Sequence, residues 1–268
     1  TMDLTSLTAN VMDLNECESS DEVTITVFAL PDVEAGNDIE FCNQPILTTL
    51  TDNEPSDGSW QGTGIINSST GEINPSLIGV GQSTITYLFT DDNGCTNSDS
   101  ILVNVVEPVL ANAGPDITVC DIDTTITLGG FTPSDGQWAD PAIDSNYNLD
   151  VNTLTPGVYP YVFQYNEETC YTEDFMLLEV YERPNINWNG PNVICLYEIG
   201  SFNLTVDGGT GPFFIEWLTE MDNVSSDGYT ASNSWDSIGS HEVEIFVTDF
   251  NGCQNYLSFD VFINDLPI

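Results

Sequence analysis

"GQSTITYLFTDDNGC", residues 81–95, followed by "SILVNVV" at 100–106, decides the fold. Apolar and polar residues alternate on either side of Asn93-Gly94, and the runs are rich in β-branched and aromatic side chains, the signature of an antiparallel hairpin. The pattern returns as "GSHEVEIFVTDFNGC" (239–253) before "LSFDVFI" (257–263), and as "GVYPYVFQYNEETC" (157–170) before "FMLLEV" (175–180). Its hexapeptide "TDDNGC" (90–95) reappears as "TDFNGC" (248–253) with one change. A fold that needs the same turn in the same place accounts for the repetition. Asn-Gly predicts a primed turn with positive φ at both residues, and "NEETC" (166–170) departs from it.

Seven cysteines stand at 17, 42, 95, 120, 170, 195 and 253. The gaps 17–42, 95–120 and 170–195 are each 25 residues, whereas 42–95, 120–170 and 195–253 are 53, 50 and 58. A fixed gap alternating with a variable one marks tandem domains. Pro31, Pro108 and Pro184 lie 11 or 12 residues before Cys42, Cys120 and Cys195, and Pro267 occupies the next such place. Proline ends strands and stiffens junctions, which sets boundaries near 30/31, 107/108 and 183/184. Residues 1–30 are expected to be the last strands of an upstream domain, with domains at 31–107, 108–183 and 184–268. At 76 to 85 residues each, six or seven short strands fit an immunoglobulin-like β-sandwich, and the chain as a whole reads as all-β tandem sandwiches in an extended rod.

Within this scheme the expected bridges are Cys42–Cys95, Cys120–Cys170 and Cys195–Cys253, with Cys17 unpaired in the fragment. Each hairpin cysteine would be pinned to the cysteine ending the first strand if first and last strands pair in parallel. Disulfides imply an oxidising, extracytoplasmic setting. Zinc is the weaker alternative, because closely spaced C-x₂₋₄-C pairs are absent from the sequence.

Forty-three Asp and Glu against a single Arg or Lys give a formal charge of −42, yet 40% of residues are hydrophobic and 10% aromatic, so the chain folds. A surface without cations repels nucleic acid and anionic membrane. Arg183 and His241 are the only side chains able to form ordinary ion pairs with the acids, and Arg183 precedes Pro184, so basic protease sites are nearly absent.

"AGPDITVC" (113–120), "PSDGQW" (133–138), "TPGVYPYVFQY" (155–165) and "TDDNGC" resemble PKD-like and immunoglobulin-like repeats of giant cell-surface proteins of Bacteroidota. "GGTGPFFIEW" (208–217) with "TDFNGC" resembles the SprB repeat, named for the mobile adhesin of gliding bacteria. The resemblance spans the chain and is specific for repeat type and secretion context. It implies type IX export, display outside the outer membrane, and a stalk or spacer role in a secreted adhesin serving attachment or gliding. Partners would be further repeats of the same chain, with glycan or solid substratum bound by other regions.

Enzymatic readings fare poorly. A nucleophile-histidine arrangement would need His241, which lies in an alternating strand where a surface role is expected. With so many acids, paired carboxylates carry almost no signal. No cofactor is required, calcium being the one candidate: Asp38, Asp91, Asp92, Asp116 and Asp249 fall near junctions or hairpin tips, where oxygen ligands could gather. The alternative function is a carbohydrate-binding or accessory module of a secreted hydrolase, with Trp188 or Trp235 as a glycan-stacking platform.

Overall fold

The computed structural model describes residues 3–121 and 125–266, and Pro267 lies outside them. The regular secondary structure of the described residues is β-strand apart from one 3-10 turn at Pro75–Leu77. The chain divides into two compact units, residues 1–109 with 166–172, and residues 110–165 with 173–268.

In the first unit, one sheet runs in the order Ile39–Cys42, Thr96–Val106, Gly81–Thr90, Ser59–Gln61. A smaller sheet of Thr48–Thr49, Glu72–Ile73 and Ile65–Asn67 accompanies it. The alternation read from the sequence places Ile85 and Tyr87 on one side of the hairpin and Ile101, Val103 and Val105 on the other, all at most 1% exposed. Trp60 of "PSDGSW" joins that core at 2% exposure, its ring centroid 4.8 Å from that of Tyr87. Gly71, at φ +73°, leaves room for the indole, since a Cβ there would lie 2.7 Å from Trp60 Nε1.

A second sandwich has Ile117–Cys120, Cys170–Tyr181, Gly157–Glu167 and Gln137–Trp138 as one sheet, with Thr125–Thr127 paired to Asn148–Asp150; all of it but the hairpin tip 166–172 belongs to the second unit. That unit's other sandwich has two four-stranded sheets. One is ordered Asn185–Asn189, Gly200–Asp207, Thr230–Asn233, Asn223–Val224; the other Val193–Cys195, Gln254–Asn264, Gly239–Thr248, Phe214–Trp217. Two packed sheets around alternating inward residues make these immunoglobulin-like β-sandwiches in tandem. In all three, the short first strand is parallel to the last: Ile39–Cys42 with Thr96–Val106, Ile117–Cys120 with Cys170–Tyr181, Val193–Cys195 with Gln254–Asn264.

One more hairpin, Asp3–Met12 with Glu18–Val27, has no core of its own. Elsewhere, the residues six, eight and ten after a hairpin cysteine point inward. Ile101, Val103 and Val105 do so after Cys95, and Met176, Leu178 and Val180 after Cys170, none above 2% exposed. At the same offsets from Cys17 stand Val23, Ile25 and Val27, exposed by 58%, 43% and 53%. These strands present a core face without a core, and an isolated two-stranded hairpin is marginal in water.

Candidate functional site: the cysteine-bearing hairpins

The turn that opens the sequence reading is not primed. Gly94 has φ +81° while Asn93 stays out of the left-handed region. Gly94 N donates to Asp91 O and Asp91 N to Cys95 O, a three-residue loop whose type I turn ends in a left-handed residue. What selects it is the aspartate, for Asp91 Oδ1 accepts from Asn93 N at 2.9 Å and from Cys95 N at 2.8 Å. Asp13 holds Asn15 N and Cys17 N in the same way, with Glu16 at φ 64° in the glycine position. Asp249 holds Cys253 N at 2.7 Å, with Gly252 at φ +84°. Asp144 builds an equivalent loop by accepting from Asn146 N and Asn148 N. The Cys170 hairpin lacks the aspartate and turns at Glu168, φ 42°.

The expected pairing within domains is not what the structure contains. Cys42 is bonded to Cys170 and Cys120 to Cys253, with Cα–Cα distances of 5.1 and 5.6 Å, while Cys17, Cys95 and Cys195 are free thiols. Parallel register explains why. Cys42 ends the first strand opposite Val106, the last residue of Thr96–Val106, whereas Cys95 immediately precedes that strand. Eleven residues at about 3.3 Å each separate the two ends by roughly 36 Å, far beyond disulfide reach. Cys120 opposite Tyr181 and Cys195 opposite Asn264 repeat this geometry.

Each bridge therefore ties the end of one sandwich's first strand to the hairpin of the next in sequence. The hairpin tip 166–172 belongs to the same compact unit as Cys42, and Gln44 Nε2 donates to Tyr171 O beside the bridge. Cys120 and Cys253 share the second unit.

The five aspartates weighed for calcium are engaged separately. Asp38 Oδ1 accepts from Leu102 N and Asp116 Oδ1 from Leu177 N, both at about the middle of the last strand. Asp91 and Asp249 hold the turns just described, Asp249 also accepting from Thr210 N at 2.9 Å, and Asp92 is exposed. Among the described residues, no three His, Cys, Asp or Glu side chains converge on a point that could hold a metal.

Two carboxylates that composition hid behind 41 others fasten the start of a sandwich to its last strand. Asp99 Oδ2 accepts from Ala35 N at 2.8 Å and Asp174 Oδ2 from Ala113 N at 2.9 Å. The available signal was their shared position, four residues after the hairpin cysteine. The bond from Ala35 N holds the Asp99 carboxyl below the usual range, and the bond from Asn148 N does the same for Asp144. A carboxyl depressed in the folded state adds stability that is present above its unfolded pKa and lost as pH falls through the folded value. Denaturant titrations should thus show wild type and Asp99→Asn furthest apart at neutral pH, the gap closing between about pH 5 and 2. A gap unchanged with pH would remove the carboxylate from the account.

Trp188 stacks on Phe259 at 3.7 Å and Trp235 is 9% exposed, so neither forms a surface platform. His241 is half-buried against Trp235 and its Nε2 lies 2.9 Å from Ser237 O. Of the basic groups, Arg183 reaches Asp121 at 3.9 Å through Nε. Among the described residues, no helix is long and apolar enough to cross a membrane.

No protein-family model matches this chain, and no curated protein sequence matches it. Among solved structures, the N-terminal eight Ig domains of Down Syndrome Cell Adhesion Molecule align over 97% of this chain at 11% identity and TM-score 0.40. The chain spans 46% of that structure's length. Sidekick-1 immunoglobulin domains 1–4 align over 98% of this chain and 91% of theirs, at 10% identity and TM-score 0.32. A Ca²⁺-stabilized adhesin with which an Antarctic bacterium binds ice aligns over 97% of this chain and 82% of its own, at 11% identity and TM-score 0.29. Likeness this distant says nothing of ligand or activity, and the class rests on the strand order alone: tandem immunoglobulin-like sandwiches.

Proposed function

We propose that this chain is a non-enzymatic spacer of a large cell-surface adhesin, made of sandwiches at 31–107, 108–183 and 184–268 with 1–30 closing a further one upstream. The observation that carries the reading is the relay of bridges, Cys42–Cys170 and Cys120–Cys253, which hands each sandwich covalently to the next. Such a relay serves a segment that must transmit load and resist unravelling outside the cell. The PKD-like and SprB-type motifs support export by the type IX system, display on the bacterial outer surface, and a part in attachment or gliding. The carbohydrate-module alternative is disfavoured by the packed Trp188 and Trp235. No cofactor is needed in this reading, and calcium would act on the −42 charge as a whole.

Solution scattering should show an elongated particle. Deleting residues 108–183 should shorten it by roughly 33 Å, the length of one ten-residue strand. The deletion also removes Cys120 and Cys170, so the relay should close again as Cys42–Cys253. An unchanged maximum dimension would count against the spacer, as would point changes on the exposed faces that abolish ligand binding without altering the melt.

A further inference from the structure

We infer that Cys17, Cys95 and Cys195 are the open halves of the same relay, and that their bonding partners are cysteines of neighbouring repeats in the same polypeptide. Cys195 occupies the same place in its sandwich as Cys42 and Cys120. It ends a short first strand parallel to the last strand, and the residue after it, Leu196, donates its N–H to Asn264 O. Asn43 donates likewise to Val106 O and Asp121 to Tyr181 O, one residue after each bridged cysteine. Cys95 and Cys17 occupy the position of Cys253, immediately after a turn whose aspartate accepts from the cysteine's own N–H.

Bridged Cys42, Cys170 and Cys253 are buried, bridged Cys120 is partly buried as Cys95 and Cys195 are, and Cys17 is exposed. The three thiols are placed like the bridged cysteines, and none of them is wholly buried. Their counterparts inside the same sandwich cannot serve, since parallel register holds first-strand and hairpin cysteines at opposite ends of the last strand. The formed bridges span 128 and 133 residues. Cys195 therefore requires a hairpin cysteine about that far after it, and Cys95 and Cys17 require first-strand cysteines about that far before. The unburied core face of Val23, Ile25 and Val27 independently calls for strands of a preceding sandwich.

The bonding chemistry is thiol–disulfide exchange. One protein thiolate attacks a disulfide oxidant, releasing one of its thiolates, and the second protein thiolate displaces the other from the mixed disulfide. Two protein thiols lose two protons and two electrons overall, and the oxidant leaves as two thiols.

The inference rests on the tandem-repeat reading, and one experiment separates their failures. The full polypeptide carrying this segment is alkylated before lysis, isolated without reductant, digested with Glu- and Asp-directed proteases, and its cross-linked peptides sequenced. The expected result is Cys195 joined to a hairpin peptide of a following repeat, with Cys95 and Cys17 joined to first-strand peptides of preceding repeats. Recovery of any of the three as alkylated thiol, joined to a second copy of the chain, or joined within its own sandwich overturns the inference. An elongated particle with alkylated thiols would leave the spacer standing and remove only the extended relay.

Discussion

Replacing Cys42 and Cys170 together by serine is expected to destabilise the segment by about 4–5 kcal/mol, the chain-entropy value for closing a loop of this size. The thermal midpoint of the sandwich that carries Cys42 should fall by roughly 10 °C or more, since about 1 kcal/mol moves a chain of this size by a few degrees. Replacing Cys95 alone by serine is expected to change stability by no more than about 0.5 kcal/mol, because its thiol is free and partly exposed. This contrast is sharp, for a bridge inside the domain would make Cys95 as important as Cys42. Equal losses for the two variants, measured by denaturant unfolding, would point to Cys42–Cys95 instead.

Trp60→Ala should cost about 3–5 kcal/mol, the range for truncating a fully buried aromatic side chain. The indole is 2% exposed, lies against Tyr87, and has Gly71 shaped around it, so neighbours can close the cavity only by moving backbone. Against a typical total of about 5–15 kcal/mol for a domain, the loss removes a large share of the sandwich's stability. Its hairpin amides should exchange with solvent faster by a factor of a hundred or more, as the lost free energy implies. Exchange slowed in that hairpin as in wild type would show the tryptophan to be peripheral.

Much of the fold was legible because period-two alternation fixes which residues face inward, and the runs around Cys95, Cys170 and Cys253 carry it without interruption. The turn type was misread since Asn-Gly alone favours a primed turn, whereas the preceding Asp91 accepts two backbone N–H groups and holds a type I turn with only Gly94 left-handed. The bridges were misassigned for a geometric reason that the sequence already contained. A cysteine that ends a first strand and a cysteine that begins a last strand lie at opposite ends of a parallel pair. Spacing identified the repeat, but the direction of the strands decides who meets whom. Asp99 and Asp174 were invisible among so many acids until their common offset from the hairpin cysteine was tied to the N–H groups of Ala35 and Ala113.

The decisive measurement is a non-reducing peptide map of the 268-residue chain, with free thiols alkylated before digestion. Linked peptides containing Cys42 with Cys170 and Cys120 with Cys253, and alkylated Cys17, Cys95 and Cys195, are the result expected of a chain whose sandwiches are clamped each to the next. Linked peptides of Cys42 with Cys95, Cys120 with Cys170 and Cys195 with Cys253 would contradict it, leaving three self-contained domains joined only by their linkers.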